Sequence, residues 1–254
     1  MLSRLFGSKK KNQTSIKHAA PPGSNWSFLY TDMHSHLLPG VDDGAQSMED
    51  SIQMIRELID MGYQKIITTP HIKSDIYPNT PYIIQSKLKS LREELAAQGI
   101  HVPISAAAEY YLDERFMEML QEGSLLTVSK NEVLIEFSFA YEPMRLSETL
   151  FRIQTKGYKP ILAHPERYGY YHDKFHVYKD LKERGCLLQL NALSITGYYG
   201  RPVRETAERL LQEGLYDYCG TDMHHMRHVE GMKKIQESEA FGLLYQYPFQ
   251  NKNL

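Results

Sequence analysis

From Phe28 onward, short uninterrupted apolar runs alternate with longer segments whose apolar residues recur every three or four positions. Buried strands give the first pattern and amphipathic helices the second, so the alternation predicts a β/α fold with a largely parallel sheet. Phe28 to Met33 reads as the first strand. SMEDSIQMIRELIDMG follows as a helix, with Ser47 as N-cap, Asp50 three residues on, Ile52, Ile55 and Ile59 at helical spacing, and Gly62 at its end. KIITT is the next strand. Thr80-Pro81 then opens a second helix lined by Ile84, Leu88, Leu91 and Leu95, and Gly99 closes it before HVPISAAA. The same order recurs downstream: ERFMEMLQEG precedes EVLIEF, LSETLFRIQTKG precedes KPILA, FHVYKDLKERG precedes CLLQL, and VRETAERLLQEG, opened by Pro202, precedes LYDYCG. Seven strands alternating with helices predict a β/α architecture closed as a barrel, or nearly so.

Ionisable residues fall at matching places in these units. His34 and His36 end the first strand, His71 the second, Glu109 the third, Glu136 the fourth, His164 the fifth, and Asp222 with His224 the last. In a β/α barrel the C-terminal strand ends meet on one face, so these separate segments aim at one place. His34-Ser35-His36 at a strand end presents two imidazoles side by side, and Asp42-Asp43 follows within loop reach. Mixed imidazole and carboxylate ligands suit Mn, Fe or Zn. Any one of these residues has an ordinary explanation: a buried Glu136 paired with a basic side chain satisfies itself as well as a metal would. Their recurrence at successive strand ends points instead to a shared metal site. His18, His101, His172, His176 and His228 lie outside the pattern and read as surface or packing residues.

Composition narrows the function without naming it. The chain has 254 residues, enough for one α/β barrel, and a formal net charge of −2, which gives no reason to expect nucleic acid as partner. Cys186 and Cys219 sit in apolar strand runs and read as buried free thiols of a reducing compartment. Neither is followed six positions later by arginine, as a cysteine-dependent phosphatase loop requires; those positions hold Ala192 and His225. Residues 1–27 form a basic tail around Lys9, Lys10 and Lys11, without the apolar stretch of a secretory signal, and residues 28–254 form one domain. A cytoplasmic location is expected, and the tail is a candidate for weak contact with an anionic membrane surface.

The segments HSH with Asp43, TPH at 69–71, AAAEYY at 106–111, IEFS at 135–138, AHPERY at 163–168 and TDMHH at 221–225 together resemble the PHP (polymerase and histidinol phosphatase) superfamily. Within it they are most similar to the bacterial capsule-synthesis protein-tyrosine phosphatases, over Phe28 to about Tyr247. The resemblance implies a distorted (β/α)7, TIM-like barrel holding up to three divalent metals. It places as ligands the residues already singled out: His34, His36, Asp43, His71, Glu109, Glu136, His164, Asp222 and His224. It also implies a phosphotyrosine protein substrate, a membrane-associated bacterial tyrosine kinase that governs capsule or exopolysaccharide synthesis. Histidinol phosphate, a nucleic-acid phosphodiester, and a non-catalytic role in binding a phosphorylated kinase are the alternatives.

Such a cluster acidifies a water for attack on phosphorus and neutralises the phosphoryl oxygens. Arg167, three residues after His164, is the expected fork for two phosphate oxygens, and Arg227, three residues after His224, is a second candidate. Tyr110, Tyr111, Tyr168, Tyr170 and Tyr171 follow two of the metal motifs and are candidates to wall a cleft for an aromatic side chain. With 18 tyrosines in the chain, packing is the simpler role for each.

Overall fold

The computed structural model describes residues 19–254, so the expectations placed on His18 and on Lys9, Lys10 and Lys11 lie outside the described residues. Among the described residues the strands are β1 (Thr31–Asp32), β2 (Lys65–Thr68), β3 (His71–Ile72), β4 (Ile104–Ala106), β5 (Glu109–Tyr111), β6 (Glu132–Glu136), β7 (Lys159–Ala163), β8 (Leu187–Asn191) and β9 (Tyr218–Gly220). The helices between and after them are α1 (Met48–Asp60), α2 (Pro81–Ala97), α3 (Glu114–Glu122), α4 (Leu146–Thr155), α5 (His176–Glu183), α6 (Arg201–Gln212), α7 (Met226–Gln236) and α8 (Glu239–Gln246). Every strand pairing is parallel, in the orders β1-β2-β4 and β3-β5-β6-β7-β8-β9.

Two-residue interruptions separate β2 from β3 and β4 from β5. Pro70, which has no N–H to give to a ladder, sits in the first of them. Backbone bonds cross the interruptions, from Ala107 to the Thr68 carbonyl at 2.9 Å and from Glu109 to the Pro70 carbonyl at 3.1 Å. The sheet curls until its ends meet: Ser35 bridges Met223 in parallel, His36 N donates to the Met223 carbonyl and Asp222 N to the His34 carbonyl, both at 2.8 Å.

The predicted helix signals appear as local geometry. At α1, Ser47 Oγ accepts from Asp50 N at 3.1 Å and Asp50 Oδ2 accepts from Ser47 N at 3.0 Å, a reciprocal capping box. Gly123 ends α3 at φ 71°, a left-handed cap that glycine adopts without steric cost. The first strand is shorter than Phe28 to Met33 because Asn25 caps a 3-10 turn over Trp26–Phe28 and Tyr30 lies at φ 67°, which breaks the extended run. Trp26 is fully buried against Tyr63 and Phe241, so the packed structure begins before the expected boundary at residue 27. No described helix is long and apolar enough to cross a membrane.

Strand alternation sorts the core from the site. One apolar layer lies between sheet and helices; a second, formed by Met33, Ile67, Ala107, Val128, Leu134, Ile161, Ala163, Leu187 and Tyr218, fills the concave side of the sheet. Counting in twos from these inner residues leads to the polar end: Leu134 to Glu136, Ala107 to Glu109, Tyr218 through Gly220 to Asp222, and Leu187 through Gln189 to Asn191. At the opposite end Asn251 closes the structure, its amide donating to the Thr31 carbonyl at 2.9 Å and the Cys219 carbonyl at 2.6 Å, with Leu254 packed on the inner layer.

Candidate metal centre

Eight of the nine predicted ligands fall into three groups whose ligand atoms lie within 4.8 Å of one another: His34, His36, Glu109 and Asp222; His36, Asp43, His71 and His224; and His71, Glu109 and Glu136. Each pair of groups shares one residue. His164 belongs to none of the three, yet its Nε2 stands 3.0 Å from Glu109 Oε1 and 3.6 Å from Glu136 Oε1. Glu109 is central: its Oε2 is 3.2 Å from both His34 Nε2 and His71 Nδ1 and 3.4 Å from His36 Nε2. Asp43 reaches in from the rim, with Oδ1 at 3.5 Å from His224 Nε2 and 3.6 Å from His71 Nε2.

Register and backbone aim these side chains. His71 pairs with Glu109 across β3 and β5 and stands level with it, whereas Glu109 pairs with Leu134, and Glu136 lies two residues farther along β6, opposite Tyr111. His164 and Asp222 lie at φ 34° and φ 50°, a left-handed backbone that is strained for non-glycine residues and persists where surroundings over-determine it. Gly44 and Gly220 leave room for the histidines. A Cβ on Gly44 would stand 2.1 Å from the His36 carbonyl oxygen, and one on Gly220 would stand 2.6 Å from His34 Cβ.

Behind these side chains a layer of acceptors fixes three of the imidazoles. Gln189 Oε1 accepts from His34 Nδ1 at 2.8 Å, Asp42 Oδ2 from His36 Nδ1 at 2.7 Å, and the Asp222 carbonyl from His224 Nδ1 at 2.8 Å. With Nδ1 donating outward, the lone pair of Nε2 in all three rings faces the cluster, the tautomer a metal requires. Asn191 donates to Asp222 Oδ2 at 2.8 Å and is itself anchored by Glu166, whose Oε1 accepts from Asn191 N at 3.0 Å.

The electrostatics fit a cation. Glu109, Glu136 and Asp222 are buried together with one permanent positive charge, Arg167, among them. Burial, then Glu109 and Asp222, push the Glu136 carboxyl well above the usual range. Burial opposes ionisation of Asp222 and Glu109 too, but neighbouring histidines win and hold both well below it. Burial works to lower the pKa of His34, but Glu109 and Asp222 outweigh it and raise it, while burial lowers that of His71 to about 4. Nδ1 of His71, Oε2 of Glu109 and Nδ1 of His164 are buried without a hydrogen-bond partner. Crowded acidic groups, Nε2 lone pairs turned inward and unpartnered polar atoms are what divalent ions of the Mn, Fe or Zn kind complete.

Arg167 enters the same cavity, which measures about 270 Å³. Its 3-10 turn, Pro165–Arg167, folds the chain back after His164, and Nη1 donates to Asp222 Oδ2 at 3.0 Å. The guanidinium lies between two rings, 4.2 Å from the Tyr199 centroid and 4.7 Å from that of Phe139. Arg227 is placed differently: it is exposed on the first turn of α7 and does not line the cavity. None of Tyr110, Tyr111, Tyr168, Tyr170 and Tyr171 lines the cavity, in keeping with packing as their simpler role. Tyr110, Tyr168 and Tyr171 are fully buried as packing, and Phe139 and Tyr199 line the cavity in their place. His228, read as a surface or packing residue, is buried beside the ligands, with Nδ1 3.0 Å from the Asp222 carbonyl, and lines the cavity with His225.

Residues 30–239 match the family described as capsular polysaccharide synthesis, CpsB/CapC. The chain belongs to this family. Among its relatives, tyrosine-protein phosphatase YwqE of Bacillus subtilis is 29% identical over 197 residues, spanning 77% of this chain and 78% of YwqE. Tyrosine-protein phosphatase CpsB of Streptococcus agalactiae is 26% identical over 201 residues, 77% of this chain and 83% of CpsB. The fold matches a solved structure from work on YwqE of Bacillus subtilis and CpsB of Streptococcus pneumoniae, described as metal-dependent tyrosine phosphatases. The TM-score is 0.78 at 28% identity, covering 88% of this chain and 93% of the other.

Proposed function

We propose that this CpsB/CapC-family protein is a metal-dependent protein-tyrosine phosphatase. The observation that carries the reading is the convergence of three overlapping ligand groups and Arg167 on one cavity, in a chain whose named relatives are tyrosine-protein phosphatases. We read the curled sheet as a distorted (β/α)7 barrel, counting β2 with β3 and β4 with β5 as single interrupted strands, in one domain that takes in residues 28–254 and the buried Trp26 before them. Three divalent ions, Mn, Fe or Zn, are assigned to His34, His36, Asp43, His71, Glu109, Glu136, His164, Asp222 and His224. When bound, such ions supply charge for the phosphoryl oxygens and lower the pKa of water enough to provide a nucleophile near neutral pH.

The remaining work falls to this chain's own groups. Arg167 offers its guanidinium to phosphoryl oxygens, held in place by its hydrogen bond to Asp222 and by stacking over the ring of Tyr199. Tyrosinate, with a parent pKa of about 10, departs more readily than an alkoxide and asks little of a general acid. Cys186 and Cys219 stay out of the chemistry: both are buried, and burial pushes the Cys186 thiol up to about 12 and that of Cys219 well above its usual value. The substrate we assign is a phosphotyrosine segment of a membrane-associated kinase in capsule or exopolysaccharide synthesis, met in the cytoplasm, with the basic tail adding weak attraction to the anionic membrane surface.

The test is turnover by the metal-loaded protein. A phosphotyrosine peptide should exceed histidinol phosphate and a phosphodiester in kcat/KM by at least ~100-fold, the range that a shaped site reaches between unlike leaving groups. A preference for histidinol phosphate would make the protein a small-molecule phosphatase, and phosphopeptide binding without turnover would make it a binding partner.

A further inference from the structure

Among the described residues that line the cavity, Phe139 is the one side chain without a polar atom. Its ring stacks on His164 with centroids 5.6 Å apart and planes at 24°, and on Tyr168 at 5.6 Å and 29°. Even so it is 48% exposed, whereas Tyr168 behind it is fully buried. A large apolar ring that is braced on two aromatic neighbours and still open to a cavity presents a prepared surface. The other lining aromatic, Tyr199, is engaged through its hydroxyl, which accepts from Asn191 Nδ2 at 3.1 Å.

Placement relative to Arg167 gives that surface a use. The guanidinium carbon is 4.7 Å from the Phe139 centroid. A phosphoryl group held by Arg167 has two rings within reach of its ester substituent, and of these Tyr199 is partly buried with its hydroxyl engaged, which leaves Phe139 as the open apolar face; ionisable groups such as Asp43, Glu136, His224 and His225 form the rest of the wall. Stacked or edge-on rings prefer centroid separations of about 4.5–7 Å, a span that one phenyl group attached through a single oxygen fits. The short side chains of phosphoserine and phosphothreonine bring no ring to that surface.

We propose that Phe139 reads the aromatic ring of an aryl phosphate monoester, and so determines the preference of this site for phosphotyrosine over alkyl phosphates. The proposal rests on the phosphatase reading of the site. Phe139 also flanks Arg167, so its removal has a second conceivable effect, loosening the phosphate fork for every ligand alike, and the experiment has to separate the two.

Calorimetric dissociation constants of the Mn-loaded protein for phenylphosphonate, methylphosphonate and inorganic phosphate do so without relying on turnover. Phe139→Ala should weaken phenylphosphonate by ~3- to 10-fold, the range for one aromatic pair, and leave the other two ligands within about twofold. Phe139→Tyr should behave as wild type. Phe139→Leu, which keeps apolar volume without a ring, should repeat the selective loss and serves if the alanine variant does not fold. Equal weakening of all three ligands would reduce Phe139 to a brace for Arg167 and overturn the proposal, as would unchanged binding of phenylphosphonate. Turnover of a phosphotyrosine peptide by the wild type is measured alongside: its absence counts against the phosphatase reading, and ring-selective binding lost in Phe139→Ala still identifies the ring site.

Discussion

Asp42→Asn is a sharp perturbation of the metal centre because it alters no proposed ligand and almost no volume. Asp42 accepts three hydrogen bonds: Oδ2 takes His36 Nδ1 at 2.7 Å and His71 N at 2.9 Å, and Oδ1 takes Gly44 N at 3.0 Å. Burial resists its ionisation, yet the His36 imidazole beside it holds the carboxyl well below its usual range, so the side chain acts as an acceptor at both oxygens. Asparagine has one oxygen. Whichever way the amide turns, its NH2 faces at least one of those donors and leaves it buried without an acceptor, at about 1–3 kcal/mol. Some of that strain is relieved if His36 changes tautomer, and then its Nε2 carries the proton and no longer offers a lone pair to the cluster. Either route lowers metal affinity by ~10- to 100-fold, the usual effect of losing the partner that orients an imidazole ligand. Titration against a metal-buffering chelator measures this directly, with circular dichroism to establish that the fold is retained. Unchanged affinity in a folded Asp42→Asn protein would refute the claim that Asp42 sets the His36 tautomer for metal binding.

Two further outcomes follow from the same geometry. Arg167→Ala should keep its metal and lose ~10- to 1000-fold in turnover of a phosphotyrosine peptide, the range for one preorganised charge-stabilising donor; wild-type turnover would remove Arg167 from the phosphate site. Trp26→Ala empties a fully buried site in the core and should destabilise the fold by about 3–5 kcal/mol, read by denaturant unfolding; unchanged stability would contradict the role given to that side chain.

Much of this centre was legible because strand ends and ladder parity convert sequence position into spatial position. Glu109, Glu136 and Asp222 each stand two or four residues beyond an inner apolar residue, and helix-ending glycines come shortly before β2, β4, β7, β8 and β9. What stayed hidden lacked a periodic signal. Gln189 and Asn191 continue the inner row of β8 from Leu187, so parity was available, but amides in an apolar run carry no mark of their role until His34 and Asp222 are seen beside them. Phe139 and Tyr199 reach the cavity from irregular segments between elements, where spacing predicts nothing about direction. Arg167 and Arg227 both follow a histidine by three residues, and what separates them is backbone: a 3-10 turn folds Arg167 back onto Asp222, while α7 carries Arg227 outward. Helices α7 and α8 come after the last strand, beyond the repeat of helix, glycine and strand from which the others were read.

The claim on which the rest depends is that the converging histidines and carboxylates hold metal ions that the phosphatase activity requires. Elemental analysis of the purified protein, joined to turnover of a phosphotyrosine peptide before chelation, after chelation and after stepwise return of Mn, Fe or Zn, tests it most directly. Up to three ions per chain are expected, with activity abolished by their removal and restored as the sites refill, and with reduced metal content in His36→Ala and Glu109→Ala. Full turnover by the metal-stripped protein would contradict it.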